Sequence, residues 1–312
     1  MDISVIIVTR NTCALTRAAV QSALDARHSL ALEIFVVDNG STDDTASILP
    51  REFPQVRYLR SETNLGFARA VNLATRAAAG EFLLLLNSDA RLAADALEQA
   101  MVWMRQRPDC AVAGAQLLNP DGTRQNSIAN FPTLATELLN KSLLRRLRPK
   151  RFPGKEREFR EPVEVESIVG AFMFIRRTVW EALGGLDEHY FFFFEETDFC
   201  LQAHKQGFRI FHLPTVRVWH GQGQTARQMA ADARIEYWRS RYIYFARNHP
   251  ALVRQWLAAG LMVRLLADSL AAALLVLLAF GQKARWRERW RVCSALWRWH
   301  WRGRPAEMGL PR

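Results

Sequence analysis

The 312-residue chain is poor in the features that mark several common protein classes. Its four cysteines, Cys13, Cys110, Cys200 and Cys293, stand far apart with no C-x-x-C pair, which argues against a zinc cluster or a disulfide framework and fits a reducing compartment. Neither G-x-G-x-x-G nor G-x-x-x-x-G-K-[ST] occurs, so a dinucleotide oxidoreductase and a P-loop ATPase are disfavoured. The start, Met1-Asp2 followed by Ile3-Ser4-Val5-Ile6-Ile7-Val8, has no basic head and no cleavage site, and is read as a strand rather than a signal peptide. No apolar stretch runs unbroken for the ~20 residues of a spanning helix. The longest candidate, Ser269 to Gly281, falls short because Arg264 and Asp268 precede it.

Basic residues are in excess, with 42 Lys and Arg against 31 Asp and Glu, a net charge of +11. Such a balance favours anionic partners: nucleotide phosphates, an acidic glycan, nucleic acid or an anionic membrane surface. The excess is uneven, gathering between Lys141 and Arg160 and again from Lys283 onward, which is not the uniform basicity of a nucleic-acid binder. Nearly half the chain is hydrophobic (49%), enough for a sizeable core.

Short apolar runs alternate with helix-like segments through the first half. Strands are expected at Ile3 to Thr9, Ile34 to Asp38, Val56 to Leu59 and Phe82 to Leu86. Helices are expected at Thr12 to Ala26, Phe67 to Ala79 and Ala94 to Arg107, with Ser41-Thr42-Asp43-Asp44 capping another by an acidic first turn. Continuous apolar strands between helices imply an α/β fold with a mostly parallel sheet covered on both faces. Residues 119 to 165 lack periodicity and are read as a long loop over the site. Ile168 to Ile175 then reads as a buried strand, Glu196 to Gln206 as a helix, and Phe208 to Leu213 and Val216 to His220 as two last strands. The catalytic domain is expected over 1–235, followed over 236–312 by a helical, basic and Trp-rich region.

Polar residues gather where strands end: Thr9-Arg10-Asn11, Asp38-Asn39-Gly40 and Asn87-Ser88-Asp89. In open α/β sheets the carboxyl ends of the strands form the ligand crevice, so three such ends point to one site. Asp89 emerges from four leucines and suits a hard divalent cation bridging a diphosphate, or else a capped turn. Asp38 can accept from a pyrimidine imide, or hold a turn. In Asn64 to Asn72, Gly66 allows close backbone approach, and Arg69 and Asn72 can reach a nucleotide, or the segment simply starts a helix. Glu195-Glu196-Thr197-Asp198 follows four phenylalanines, where a carboxylate with a raised pKa suits a general base; the same acids suit a helix's first turn. His220 ends a strand before Gly221-Gln222-Gly223, and its role as a ligand rests on the other motifs.

Taken in order, Ile3–Asn11, Asp38–Thr42, Asn64–Asn72, Asn87-Ser88-Asp89, Gly170–Phe174 and Gly184–Asp198 resemble the family 2 glycosyltransferases, most of all their bacterial rhamnosyltransferase-like branch, over about the first 225 residues. The resemblance implies a GT-A fold and inverting transfer from a nucleoside diphosphate sugar, here a deoxy-sugar such as rhamnose from a dTDP donor. It places Thr9, Arg10 and Asp38 near the base, with Gly66, Arg69, Asn72, Asn87 and Ser88 around the nucleotide. Asp89 matches the last acid of the D-x-D metal motif, whose first acid is replaced by Asn87, and His220 resembles the distant histidine that joins the same Mg²⁺ or Mn²⁺. Glu196 stands at the Asp position of the E-D-x-D base motif, flanked by Glu195 and Asp198. Gly170, Ala171 and Asp187 are expected beside acceptor or donor sugar.

Trp286, Trp290, Trp297 and Trp301 recur at helical spacing among arginines, as in a helix lying in a membrane interface, or in one packed on the catalytic domain. A lipid-linked or cell-surface glycan acceptor at the cytoplasmic membrane face follows from this basic, aromatic tail. Two rivals remain: a nucleotidyltransferase, against which the glycine-free Thr9-Arg10-Asn11-Thr12 counts, and a non-catalytic membrane-associated nucleotide-sugar binder, against which the acids at 195, 196 and 198 count.

Overall fold

The computed structural model describes residues 1–149, 151–152, 157–221 and 229–312. In chain order its elements begin β1 (Ile3–Thr9), α1 (Cys13–Asp25), β2 (Leu32–Asn39), α2 (Thr45–Glu52), β3 (Arg57–Ser61), α3 (Phe67–Thr75), β4 (Phe82–Asn87) and β5 (Ala90–Leu92). There follow α4 (Ala96–Arg105), β6 (Cys110–Leu118), β7 (Ile128–Ala129), α5 (Leu134–Leu138), α6 (Lys141–Leu147), β8 (Val163–Glu164), β9 (Ser167–Ile168) and β10 (Phe172–Arg176). The last are α7 (Arg177–Leu183), α8 (Glu195–Lys205), β11 (Arg209–His220), α9 (Ala230–Asn248), α10 (Ala251–Leu278) and α11 (Ala284–Trp301). Two compact units divide them: Met1–Phe131, Pro149–Phe191 and Glu195–Gln222 in one, Pro132–Arg148, Phe192–Phe194 and Gly223–Arg312 in the other.

The first unit is built on one sheet with the order β3-β2-β1-β4-β10-β6-β11-β5, and β8 pairs β11 beside that path. Its central strand β4 is apolar from Phe82 to Leu86 because both faces are covered. Leu84 and Leu86 of β4 enter one core with Val5, Ile7 and Val36, while Leu83 and Leu85 enter the other with Ile6, Phe35 and Val37. The β3-β2-β1-β4 half is parallel, as expected. The other half is mixed, since β10 runs antiparallel to β4 and β6 and β5 antiparallel to β11. Chain order reverses between β1 and β4, so a crevice opens at their carboxyl ends.

Four local expectations are corrected. The acids before α2 do not form its first turn: Asp43 instead accepts from the Thr45 amide (3.2 Å) and the Cys13 amide (3.1 Å), tying two loops. The single strand expected from Ile168 breaks into β9 and β10 at Val169-Gly170-Ala171. The two last strands are one, β11, continuous through an irregularity between Leu213 and Arg217. The stretch read as one loop carries β7, α5, α6 and β8.

In the second unit α10 has 28 residues, long and apolar enough to cross a membrane by length and composition, where the sequence suggested too short a run. Leu257, Leu261, Leu265, Ser269 and Ala272 form its buried side. Polar ties reach that helix at its middle: Arg264 Nη1 donates to Glu137 O (3.1 Å), Arg289 Nη2 to Asp268 Oδ1 (2.6 Å) and Trp297 Nε1 to Ser269 Oγ (2.9 Å). The tryptophans of α11 are not one outward face, because Trp286 and Trp297 are half-buried while Trp290 and Trp301 are exposed. Phe193 and Phe194 both hold positive φ (74° and 73°), a strained state for a bulky residue. Packing of both rings against Tyr237, edge-on at 5.5 Å and tilted at 5.2 Å, holds it in place.

Candidate active site

The carboxyl end of β1 is tied to that of β4 by hydroxyls. Thr9 Oγ1 lies 2.7 Å from Thr16 Oγ1 and 3.0 Å from Thr12 Oγ1, and Thr12 donates to Ser88 Oγ at 3.2 Å. Asn11 takes a positive φ (55°), which Asn tolerates, and its Oδ1 accepts from the Thr42 amide at 2.7 Å. Arg10 Nε is buried with no hydrogen-bond partner among the described residues, a cationic donor in want of an acceptor at this crevice.

Asp38 is fully buried. Its Oδ1 accepts from the Ser41 amide (2.9 Å) and its Oδ2 from the Tyr58 hydroxyl (2.6 Å). Burial and this carboxylate both push the Tyr58 hydroxyl well above its ordinary pKa, so it stays a proton donor. The enclosed carboxylate shapes the turn after β2.

Asn87, Asp89 and His220 form the centre. His220 Nε2 stands 3.4 Å from Asp89 Oδ1 and 3.4 Å from Asn87 Nδ2. Its other nitrogen, Nδ1, lies 3.0 Å from Gln125 Oε1, and Gln125 Nε2 donates to the His220 carbonyl at 2.6 Å. With its amide nitrogen so engaged, Gln125 presents only an acceptor to the ring. His220 is thereby assigned the Nδ1–H tautomer, which leaves the Nε2 lone pair facing Asp89. This is how proteins prepare a histidine for a metal: the ring is oriented from behind by a hydrogen-bonded partner. Among the described residues no group of three or more His, Cys, Asp or Glu surrounds one point. Asp89 and His220 therefore offer two ligands, a carboxylate oxygen and an imidazole nitrogen, a donor set that suits Mn²⁺ or Mg²⁺ when phosphate oxygens and water supply the remainder.

Glu196 lies in the first turn of α8 and packs on Gly170. A Cβ on Gly170 would lie 3.4 Å from Glu196 Cγ, and the next residue, Ala171, accepts the Asn87 amide at 3.1 Å. Burial raises the Glu196 pKa, opposed by hydrogen bonds from its own amide and that of Thr197. Glu195 and Asp198 are buried, and Asp198 Oδ1 accepts from Gln202 Nε2 (3.2 Å) within the helix.

Other expected residues serve a different loop. Asn72 Nδ2 donates to Leu186 O (2.8 Å) and to Glu188 Oε1 (3.1 Å) while its Oδ1 accepts the Leu186 amide (3.0 Å), so this amide clamps the loop after α7. Arg69 faces Glu188 at 3.6 Å. Asp187 accepts from the His189 amide (3.0 Å) and pairs with its ring (2.6 Å). Gly66 (φ 82°) is required by packing, since a Cβ there would meet Phe191 O at 2.5 Å. Gln125, Thr12, Thr16 and Tyr58 were not singled out from the sequence. Gln125 lay in the stretch read as loop, where nothing marks it.

A strand-end carboxylate and a tautomer-fixed histidine, with a half-buried glutamate packed on Gly170, agree with the model of the family described as "Glycosyl transferase family 2", which matches residues 4–184. The chain belongs to that family. It is a glycosyltransferase drawing on a nucleotide-sugar donor, of the rhamnosyltransferase-like kind. It is 27% identical over 241 residues to the N-acetylglucosaminyl-diphospho-decaprenol L-rhamnosyltransferase of Mycobacterium tuberculosis, covering 71% of this chain and 78% of the relative. Among solved structures, the Pyrobaculum calidifontis mannosyltransferase PcManGT, in complex with GDP-Man and Mn²⁺, superposes with a TM-score of 0.56 at 20% identity, over 94% of this chain and 84% of that one. Residues 1–349 of S. aureus TarS with UDP-GlcNAc give 0.54 at 18% identity, over 94% and 79%. These two likenesses establish the GT-A fold.

Proposed function

We propose that this glycosyltransferase moves a deoxy-sugar, rhamnose from a dTDP donor, with inversion, onto a hydroxyl of a lipid-linked or cell-surface glycan. The observation that carries this reading is the Asp89–His220 pair, held from behind by Gln125 and neighboured through Gly170 and Ala171 by Glu196. A divalent ion held by Asp89 and His220 would neutralise charge on the departing diphosphate. Arg10, Asn87 and Ser88 line the strand ends where the nucleotide binds, with Arg10 Nε free to donate. Glu196, kept ready by its raised pKa, takes the proton from the acceptor hydroxyl as that oxygen attacks the anomeric carbon from the face opposite the nucleotide. The donor choice is supported by the name of the mycobacterial relative and the order of the motifs.

The site of action in this reading is the cytoplasmic face of the membrane, reached by peripheral contact. What supports it is the outer face of α10. Trp256, Val263, Leu266, Leu270, Leu274 and Leu277 recur at helical spacing opposite its buried side, and each is more than half exposed. The polar ties of the inner side to Glu137, Arg289 and Trp297 at mid-helix support a helix that lies in the interface rather than one that crosses it.

Thermal stabilisation of the full chain against UDP-, dTDP- and GDP-sugars, with and without Mn²⁺, tests the reading. A dTDP-selective, metal-dependent rise in Tm is expected; no rise with any nucleotide would sink it.

A further inference from the structure

Away from the Asp89–His220 centre the first unit holds a cavity of about 400 Å³, within the size of small-ligand pockets. Gln116, Arg124, Phe159, Arg160, Thr215 and Arg217 are among its walls. Arg124 is neutralised by Glu158. Arg160 and Arg217 pair with no carboxylate among the described residues, so the cavity carries two uncompensated guanidinium groups. Phe159 adds an apolar plate, packed edge-on against buried His212 at 5.6 Å. Planar guanidinium forks match phosphate oxygens two at a time, and an aromatic wall beside them accommodates the less polar part of the same molecule.

The cavity is joined to the reaction centre by the strands that build both. In the β6–β11 ladder Arg217 stands opposite Gln116, and Trp219 opposite Leu118, one residue before His220. Three residues of strand, roughly 10 Å, separate Arg217 from His220. Gln116 Nε2 also donates to Gln125 O (3.3 Å), and Gln125 is the residue that orients His220. One wall of the cavity thus braces the metal-facing histidine.

We infer that this cavity receives a phosphate or diphosphate group carried by the acceptor, beside the hydroxyl that is glycosylated. The inference rests on the proposed transfer to a glycan acceptor. The donor diphosphate has its own place at Asp89, His220 and Arg10, so the second anion site serves the other substrate and selects acceptors bearing phosphate over neutral sugars.

Titration of the full-length protein, held with a saturating nucleoside diphosphate, with inorganic pyrophosphate and separately with farnesyl diphosphate tests it. The Arg160→Gln/Arg217→Gln double variant should bind both probes about tenfold more weakly or worse, with the Tm shift from nucleotide unchanged. Thr215→Glu, which sets a carboxylate at an exposed position of the wall, should do the same and guards against a folding defect in the double variant. Tighter binding of farnesyl diphosphate than of pyrophosphate assigns the anion to a lipid-linked acceptor, and equal binding to a small phosphorylated one. Pyrophosphate affinity unchanged in both variants, or lost only together with nucleotide binding, overturns the inference. A protein that no nucleotide stabilises speaks against the proposed transfer instead, and the pyrophosphate titration without nucleotide still reads the cavity.

Discussion

Glu196 is the residue on which chemistry and stability pull in opposite directions. Its burial raises the pKa, so ionising it costs more in the folded chain than in the unfolded one. A carboxyl whose folded pKa is raised contributes stability that is complete below the unfolded value and is lost as pH rises through the folded one. Replacing it by Gln should therefore raise Tm relative to the wild type at neutral pH, and the difference should vanish in acid below the ordinary glutamate range. The same variant should keep nucleotide-sugar binding while turnover drops by about 10²- to 10⁴-fold, the worth of a positioned base. Equal stability of the two proteins at pH 7 and pH 4 would remove the buried charge from the account. Gln125 makes a separate prediction, because it touches no substrate and acts through His220. Gln125→Ala should raise the Mn²⁺ concentration for half-maximal activity by about 10- to 100-fold, with rate restored by excess metal. A fall in maximal rate that excess metal does not rescue would mean that the local fold around Gln125, and not the histidine, was damaged.

At the scale of elements, the legible part of the fold was what each strand declares by itself. Leu83 to Leu86 and Val5 to Val8 are apolar at every position, and that is the signature of burial on two faces. β6 carries the same signature in a weaker alphabet, Cys110-Ala111-Val112-Ala113-Gly114-Ala115, whose small residues have little strand preference and are held by β10 and β11. Gly114 is small for a reason invisible along the chain: a Cβ there would sit 2.5 Å from Ile168 Cγ2. The candidate site divides in the same way. Asp89, His220 and Glu196 stand out in the sequence because strand ends and acidic helix starts are local signals. Gln125 does not, since its partner is 95 positions away. At Asn72 the sequence does not distinguish an amide that clamps a loop, as this one does, from one that binds a ligand. Helix α10 supplies the element-scale test, being apolar on two opposite sides for two different reasons. Leu261→Ala on its buried side should cost about 2–5 kcal/mol of stability. Leu270→Ala on the exposed stripe should stay within about 0.5 kcal/mol. Comparable losses would make the stripe part of a protein core.

For the molecule as a whole, two forces with different reach act on a membrane. The net charge of +11 attracts an anionic surface, but only within a screening length of about 8 Å at physiological salt, and it fades as salt rises. Burial of the α10 stripe depends on apolar area and does not weaken with salt. Vesicle flotation separates them. The wild-type chain should bind anionic vesicles at low salt and keep a substantial share of that binding at high salt, where only the stripe still acts. Leu270→Glu/Leu274→Glu places two carboxylates on the exposed face and leaves Leu257, Leu261 and Leu265 in place, so the helix packs as before. That variant should still bind anionic vesicles at low salt through its arginines and be released at high salt. Full release of the wild type by salt would make the attachment purely electrostatic and return the stripe to a contact between protein surfaces. Resistance of the double variant to salt would place the anchor elsewhere in the second unit, at the exposed Trp290 and Trp301 of α11.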